Sequence, residues 1–129
     1  MATIAEIMSR DLLTVSPDIS LQEAARQMDE RHVGAALVLE GDALRGIVTE
    51  RDVLRAVAAG SIVGVSVADC MTGQPETIDA SERTALASSV MIHGGFRHLP
   101  VLEGERVVGI VSIRDLMRVT LDDETPRGA

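Results

Sequence analysis

The sequence predicts an α+β protein built from two copies of one β-α-β-β-α unit, and three observations support this. The heptad Gly46–Asp52 recurs 63 positions later as Gly109–Asp115. Residues 3–57 align with residues 66–120 without a gap, and 15 of the 55 aligned pairs are identical. The same order of patterned segments precedes each heptad. Because a unit of this size cannot bury a large core alone, we expect the copies to pack as a pseudo-two-fold pair.

The first copy opens with a short helix, a short strand and a longer helix. Residues 3–6 (Thr-Ile-Ala-Glu) form a capping-box pattern, which predicts a helical turn. The apolar run 12–15 predicts a strand, and Ser16-Pro17 ends it. A second capping box at 20–23 starts a helix whose apolar residues fall at i, i+3, i+4 and i+7, through about Arg31.

A β-hairpin and a helix complete the first copy. Residues 35–39 and 44–49 predict two strands joined by a turn at Gly41-Asp42. A helix should follow Thr49 and continue to about Ala58. The apolar residues expected to be buried on it are Val53, Leu54 and Val57.

The second copy repeats this order. A strand is expected at 76–78, a helix capped by Asp79 or Ser81, a hairpin from 98–102 and 107–112, and a last helix from 114 to about 120. The charged C-terminus lacks an apolar face, so we expect it to be flexible. The predicted division is repeat 1 at 3–59, a linker at 60–65, repeat 2 at 66–120 and a tail at 121–129.

Composition excludes several function classes. The chain has one Phe, no Trp and no Tyr, so it lacks the aromatic platforms that stack single-stranded bases. Its net charge of −8 opposes binding to a phosphate backbone, and we therefore expect no nucleic-acid partner.

Cysteine usage and hydropathy suggest a location. Cys70 is the single cysteine, which cannot form an intramolecular disulfide and suits a reducing compartment, so cytoplasm is expected. No signal-peptide pattern stands at the N-terminus, and the longest apolar run, 33–39, is too short to span a membrane. His, Cys and Ser residues show neither metal-ligand spacing nor a nucleophile constellation, so we predict no metal site and no catalytic residues.

The doubled heptad carries the chemistry. In each copy a buried strand should end at a hydroxyl residue, Thr49 or Ser112, that caps a helix with Asp52 or Asp115 in its first turn. Free backbone N–H groups at a helix start suit a phosphate, and a carboxylate that accepts two hydrogen bonds suits a ribose diol. Plain helix capping is the alternative, and for one copy alone it is the commoner explanation.

The chain resembles a tandem pair of CBS domains, the Bateman module, over residues 3 to about 120. The resemblance is strong because two heptads stand in register, each at the end of the same unit. Its other markers are Ile7-Met8-Ser9, Cys70-Met71-Thr72, Thr14-Val15-Ser16-Pro17 and His98-Leu99-Pro100-Val101.

The resemblance implies a stand-alone regulatory module, not an enzyme, that binds adenosine nucleotides or related ligands: AMP, ADP, ATP, NAD, S-adenosylmethionine or a cyclic dinucleotide. It implies that Asp52 and Asp115 hold ribose hydroxyls, and that Thr49 and Ser112 contact ribose or phosphate. Each cleft would draw on both repeats. The Asp115 cleft would add Ser9, Thr14 and backbone around Val33, Gly34 and Ala35, and the Asp52 cleft would add Thr72, Thr77 and the strand around Phe96, Arg97 and His98.

The repeats differ where a phosphate would be met. Arg97-His98 aligns with Gly34-Ala35, so only the second repeat has the basic residues that family members often carry there. The alternative is that Arg97 is a solvated charge and His98 a packing residue.

The resemblance also implies partners. We expect a homodimer that passes a conformational change to an effector protein not identifiable from the sequence. The apolar residues expected at its interface are Ile4, Ile7, Leu116 and Met117. The alternatives are a ligand-free structural dimerisation or adaptor module, and an enzyme that acts on a nucleotide.

Overall fold

The computed structural model describes residues 2–124, and these form two sheets with six helices, which confirms the predicted α+β class. The elements of the described residues are α1 (Ile4–Ile7), β1 (Thr14–Val15), α2 (Leu21–Arg31), β2 (Ala35–Glu40), β3 (Ala43–Thr49), α3 (Glu50–Ala58), α4 (Val67–Cys70), β4 (Thr72–Gly73), β5 (Ile78–Asp79), α5 (Thr84–Gly94), β6 (His98–Glu103), β7 (Arg106–Ser112) and α6 (Ile113–Glu124).

The chain forms two compact units whose composition differs from that of the sequence repeats. The first unit consists of residues 12–75, and the second consists of the described residues up to Asp11 together with those from Glu76 onward. The short helix that opens each repeat therefore packs with the body of the other repeat.

The first unit has a four-stranded sheet in the order β1-β2-β3-β4. Strand β1 runs parallel to β2, and β2 and β3 form the antiparallel hairpin. Strand β4 lies on the outer edge of β3, where Thr72 pairs with Ile47. Helix α2 is capped by Ser20, whose hydroxyl accepts a hydrogen bond from the Glu23 N–H at 3.0 Å. The core of this unit is apolar and largely aliphatic: Leu13, Val15, Leu21, Ala24, Met28, Ala36, Val38, Val48 and Val67.

The second unit repeats this arrangement with the sheet β5-β6-β7. The N-terminal segment covers the outer edge of β7, because Ser9 exchanges two backbone hydrogen bonds with Ile110, at 2.9 and 3.0 Å. Ser9 thus occupies the position that Thr72 has in the first unit. The core of this unit includes Ile4, Ile78, Ala87, Met91, Leu99, Val101, Val111 and Leu116.

Two glycines allow these edge segments to approach. A Cβ atom at Gly109 would lie 2.9 Å from the Ser9 carbonyl oxygen and 2.5 Å from Met8 Sδ. A Cβ atom at Gly46 would lie 2.7 Å from both the Thr72 carbonyl oxygen and Met71 Sδ. The recurrence of Gly and Met in both repeats therefore has one steric cause, which is the close packing of each edge segment on a β-hairpin.

Two helix boundaries differ from the expected ones. Helix α5 begins at Thr84, and Asp79 and Ser81 precede it as a turn in which Asp79 Oδ1 accepts hydrogen bonds from the Ser81 N–H and hydroxyl. Helix α6 begins at Ile113 and continues to Glu124, beyond the expected end at Thr120. The rest of the predicted flexible tail, 125–129, lies outside the described residues.

The face of helix α3 that packs against the core also differs from the predicted one. Leu54 and Val57 were expected in the core but are 65% and 56% exposed. Helix α3 instead turns Asp52, Val53 and Ala56 inward, and each exposed residue directly follows an inward one, about 100° further round the helix.

Most of the apolar residues expected to be exposed at a dimer interface are instead buried or half-buried. Ile4 and Leu116 are buried, at 0% and 4% exposure, because they fill the core of the second unit. Ile7 is half-buried against that core. Met117 remains 58% exposed, so it alone of the four keeps the expected exposure.

Within residues 2–124, no helix combines the length and apolarity needed to cross a lipid bilayer.

We expect Gly109→Ala and Gly46→Ala to lower the free energy of unfolding by about 1–3 kcal/mol each, because the added methyl group overlaps a backbone carbonyl that cannot rotate away. Chemical denaturation followed by far-UV circular dichroism measures this. Gly73→Ala is the matched control, since a Cβ atom there would meet nothing within 4 Å. Equal losses at all three positions would contradict the steric explanation.

Candidate functional site

In the first unit, the junction between β3 and α3 is held by one carboxylate. The Thr49 N–H and hydroxyl both donate to Asp52 Oδ2, at 2.8 and 3.2 Å. Asp52 is only 9% exposed, and it is the single buried polar or charged residue among the described side chains. The strand-to-helix turn therefore fixes the position and orientation of this carboxylate.

The junction between β7 and α6 has the same geometry. The Ser112 N–H and hydroxyl donate to Asp115 Oδ2, at 2.8 and 3.0 Å, and the Asp115 N–H donates back to the Ser112 hydroxyl at 3.2 Å. Asp115 is half-buried, and its Oδ1 lies 3.9 Å from Nη1 of the exposed Arg118 side chain, a loose ion pair.

Capping uses one oxygen of each carboxylate and leaves the other available. Within the described part of the chain, Asp52 Oδ1 makes no hydrogen bond, and Asp115 Oδ1 has only the distant Arg118. An ionised carboxylate oxygen in a fixed position can accept hydrogen bonds from a vicinal diol. The predicted capping role is therefore present, and it does not exclude the ribose-binding role.

Few backbone N–H groups at these helix starts remain for a phosphate. The first helical N–H is already used in each unit: Glu50 donates to the Gly34 carbonyl at 3.0 Å, and Ile113 donates to the Arg97 carbonyl at 2.8 Å. The N–H groups of Thr49 and Ser112 are bound to the capping carboxylates. Recognition of a phosphate would consequently depend on side chains more than the sequence suggested.

The structure brings some of the predicted site residues together within each unit. Ala35 is paired with Thr49, and His98 is paired with Ser112, so each capped junction lies beside the start of the neighbouring strand. Thr72 and Ser9 lie on the outer edge segments, and Ser9 is bonded to Ile110, two residues before Ser112.

The remaining predicted residues lie further along the sheets. Thr14 pairs with Leu37, two positions beyond Ala35, and Thr77 directly precedes Ile78, which pairs with Val101. Val33 is half-buried just before β2. The first unit thus holds Thr14, Val33, Ala35, Thr49, Asp52 and Thr72, and the second holds Ser9, Thr77, Arg97, His98, Ser112 and Asp115.

The two strand entrances carry opposite charges. We define the first entrance as Val33, Gly34 and Ala35 with Glu50, and the second entrance as Phe96, Arg97 and His98 with Ile113. The Glu50 carboxylate lies over Gly34, since a Cβ atom at Gly34 would be 3.3 Å from Glu50 Oε1. Sequence reasoning missed Glu50, although the repeat alignment pairs it with the apolar Ile113 and so contained the signal.

Cys70 is a half-buried free thiol, and burial raises its pKa, with the nearby carboxylates of Asp69 and Asp52 adding to the effect. A raised pKa keeps the group as the weakly nucleophilic thiol. Among the described residues, no three His, Cys, Asp or Glu side chains are grouped as metal ligands.

The chain belongs to the CBS domain family, whose model matches residues 4–59 and 67–122. The resemblance found in the sequence is thereby confirmed. The chain is 33% identical to the CBS domain-containing protein YhcV of Bacillus subtilis over 132 aligned positions, which cover 100% of this chain and 93% of YhcV. A crystal structure of the CBS-domain containing protein ATU1752 from Agrobacterium tumefaciens superimposes with a TM-score of 0.85 at 33% identity, over 92% of this chain and 99% of that one.

Two more distant solved structures contain ligands. The CBS domain pair of protein MJ0100, in complex with 5′-methylthioadenosine and S-adenosyl-L-methionine, has a TM-score of 0.90 at 24% identity, covering 96% of this chain and 99% of that chain. CBSX2 in complex with AMP has a TM-score of 0.86 at 22% identity, covering 97% of this chain and 100% of that chain. At these identities the likeness establishes the shared fold.

We expect Asp115→Ala to lower the free energy of unfolding by about 0.5–2 kcal/mol, because helix α6 loses its reciprocal cap. Asp115→Asn should retain most of this stability, since the amide oxygen can still accept from the Ser112 N–H. Urea denaturation of both variants measures the difference. If Asp115→Asn were as unstable as Asp115→Ala, the negative charge rather than the cap would be the stabilising feature.

Proposed function

We propose that this protein is a non-catalytic regulatory module that binds an adenosine nucleotide or a related ligand, such as AMP, ADP, ATP, NAD or S-adenosylmethionine. The observation that carries the proposal is the strand-to-helix junction found in both units. In each, Oδ2 of Asp52 or Asp115 accepts the capping hydrogen bonds, and Oδ1 is left to accept hydrogen bonds from a ligand. The ligands of MJ0100 and CBSX2 support the class, because AMP, 5′-methylthioadenosine and S-adenosyl-L-methionine all contain adenosine with a ribose diol.

The proposed roles follow from side-chain chemistry. Asp52 and Asp115 accept hydrogen bonds from ribose hydroxyls, and the hydroxyls of Thr49 and Ser112 lie beside them for ribose or phosphate. Arg97 supplies a permanent positive charge for a phosphate. As in the CBS pairs that the chain resembles, each ligand is proposed to use residues from both repeats, with Ser9, Thr14, Thr72, Thr77 and the entrance residues Val33, Ala35 and His98 completing the contacts.

A bound ligand would act by changing the relative stability of two conformations. It can shift such an equilibrium only through different affinities for the two states, and that difference is what an effector protein would sense. Cytoplasm is the proposed location, because Cys70 is a free thiol.

We further propose a homodimer that uses the outer faces of α3 and α6. Leu54 and Met117 align in the two repeats, and both are more than half exposed; Val57 extends the exposed apolar face of α3. An equivalent apolar face on both helices is suited to a symmetric interface between copies. This surface keeps Met117 from the interface expected from the sequence and replaces the buried Ile4 and Leu116 with Leu54 and Val57.

We expect adenosine nucleotides to stabilise the protein. A ligand at about 100 times its Kd should add roughly 2.7 kcal/mol to the free energy of unfolding. Calorimetric melts with a panel of AMP, ADP, ATP, NAD and S-adenosylmethionine measure the effect. Because the chain has no Trp or Tyr, a 260 nm band in purified protein would also reveal a retained adenine ligand. No shift with any member of the panel would favour the ligand-free adaptor.

The two aspartates can be tested without removing their caps. Asp52→Asn and Asp115→Asn keep one acceptor for the cap but replace the other oxygen with a donor, so we expect each to weaken binding at its own site about 10–100-fold. Isothermal titration calorimetry with adenosine, which carries the ribose diol without a phosphate, measures the effect. Asp69→Asn is the matched control, because Asp69 caps α4 through Ser66 at 3.0 Å in the same way and is exposed. Unchanged affinity in the double variant of Asp52 and Asp115 would disprove the ribose assignment.

The dimer surface has its own test. The double substitution Leu54→Asp and Met117→Asp places charges on both exposed helix faces, and we expect it to convert a dimer into a monomer in sedimentation velocity runs. Val63→Asp serves as the control, since Val63 is 79% exposed on the segment after α3 and outside both faces. A dimer that persists in the double variant would exclude this interface.

A further inference from the structure

The repeats of this protein differ in one respect that helix capping and packing do not require. At the first entrance, the Glu50 carboxylate lies next to Gly34. At the second entrance, Arg97 stands at the position aligned with Gly34, and Ile113 stands at the position aligned with Glu50. Both entrances share the same backbone bond from the first helical N–H to the strand-start carbonyl. The backbone bond is therefore the same, whereas the charged side chain is negative and on the helix in the first entrance, and positive and before the strand in the second.

Neither charge has a partner within the described residues. Glu50 and Arg97 are both exposed, and no ion pair or side-chain hydrogen bond joins either of them to another described residue. Glu50 on the helix side of the first entrance and Arg97 on the strand side of the second entrance are therefore both available to a ligand.

The Glu50 side chain also has a defined position. Its backbone N–H is bound to the Gly34 carbonyl, and its carboxylate lies within van der Waals distance of the space that a Gly34 side chain would fill. A phosphate that approached this entrance would meet a carboxylate at close range, whereas at the second entrance it would meet a guanidinium that binds phosphate oxygens bidentately. Ile113 packs against the core and brings no charge there.

We propose that Glu50 makes the first entrance reject phosphorylated ligands, so that the two entrances select adenosyl compounds by charge. The second entrance takes an anionic nucleotide, and the first takes an adenosyl compound without a phosphate, neutral or cationic. This inference rests on the proposed function, because it assigns different ligand classes to the two sites of one nucleotide-binding module. It predicts one phosphorylated nucleotide per chain.

The test is isothermal titration calorimetry of the full chain with two probes, AMP and adenosine, which differ only in the phosphate. The wild type should bind one AMP per chain. Arg97→Gln should weaken AMP binding at least tenfold and leave adenosine binding within about threefold, because only the phosphate contact is lost. Glu50→Gln should create a second AMP site or raise the affinity of a weak one about tenfold.

A variant that gains an AMP site is a useful second test, because a misfolded protein would not gain binding. The double variant Gly34→Arg with Glu50→Ile gives the first entrance the two residues found at the second. Gly34 tolerates a side chain because its φ lies outside the left-handed region. This variant should bind two AMP molecules per chain. Glu105→Gln is the matched control: it removes an exposed carboxylate from the turn at the far end of β6 and should bind AMP as the wild type does.

The outcomes separate the two proposals. If the wild type binds AMP and neither Glu50→Gln nor the transplant changes affinity or stoichiometry, the charge-selection inference is overturned and the nucleotide-binding function stands. If the wild type binds two AMP molecules per chain with equal affinity, the inference is also overturned. If neither AMP nor adenosine binds any variant, both the inference and the proposed function fail.

Discussion

The close contact between each β-hairpin and a segment from the other repeat is the constraint on which the structure depends. Met8 and Ser9 pack on Gly109 in the second unit, and Met71 and Thr72 pack on Gly46 in the first. A repeat of about 55 residues has too little surface to bury for independent stability, and each hairpin would otherwise leave its outer edge unpaired. The exchange covers both edges and completes both cores, with Ile4 and Val67 fully buried.

The same constraint positions the candidate site. Ser9 is bonded to Ile110 and Thr72 pairs with Ile47, so each edge segment reaches the hairpin two residues before the capped junction. From there the chain turns from strand to helix around one carboxylate oxygen. A buried carboxylate is costly unless its hydrogen bonds are satisfied, and the N–H and hydroxyl of the capping residue satisfy Asp52. Local stability and ligand recognition are thus compatible uses of a single side chain.

The two repeats keep this frame while their surfaces differ. Each ends in a helix with an exposed apolar residue at the aligned position, Leu54 or Met117, whereas the strand entrances carry Glu50 in one case and Arg97 in the other. Under the proposed function, a ligand at either entrance acts on the protein only through different affinities for two conformations.

Periodic and repeated features were predictable from the sequence. The ungapped alignment of the repeats and the apolar patterns identified the β-α-β-β-α unit and both hairpins. The local Ser-x-x-Glu pattern identified the Ser20 cap, and the doubled heptad located the capped aspartates and the family. These features depend on neighbours within a few residues, or on the spacing of apolar side chains along one element, and both are visible in the chain.

The residue pattern alone did not decide which segment packs with which hairpin, because Met8-Ser9 and Met71-Thr72 have the same pattern and suit either glycine. The resemblance implied that Ser9 goes with Asp115 and Thr72 with Asp52. The tertiary structure decided the pairing, with Ser9 on Ile110 and Thr72 on Ile47. It likewise decided that Leu54 and Val57 face outward while Ile4 and Leu116 are buried, since a helical stripe of apolar residues does not reveal which of two adjacent faces meets the core. The position of Glu50 over Gly34 required three-dimensional information for the same reason. The sequence by itself determined the repeated unit and its capped carboxylates through local hydrogen bonding and periodicity, and the tertiary structure determined the faces and charges that a ligand or partner meets, because these arise from contacts between residues far apart in the chain.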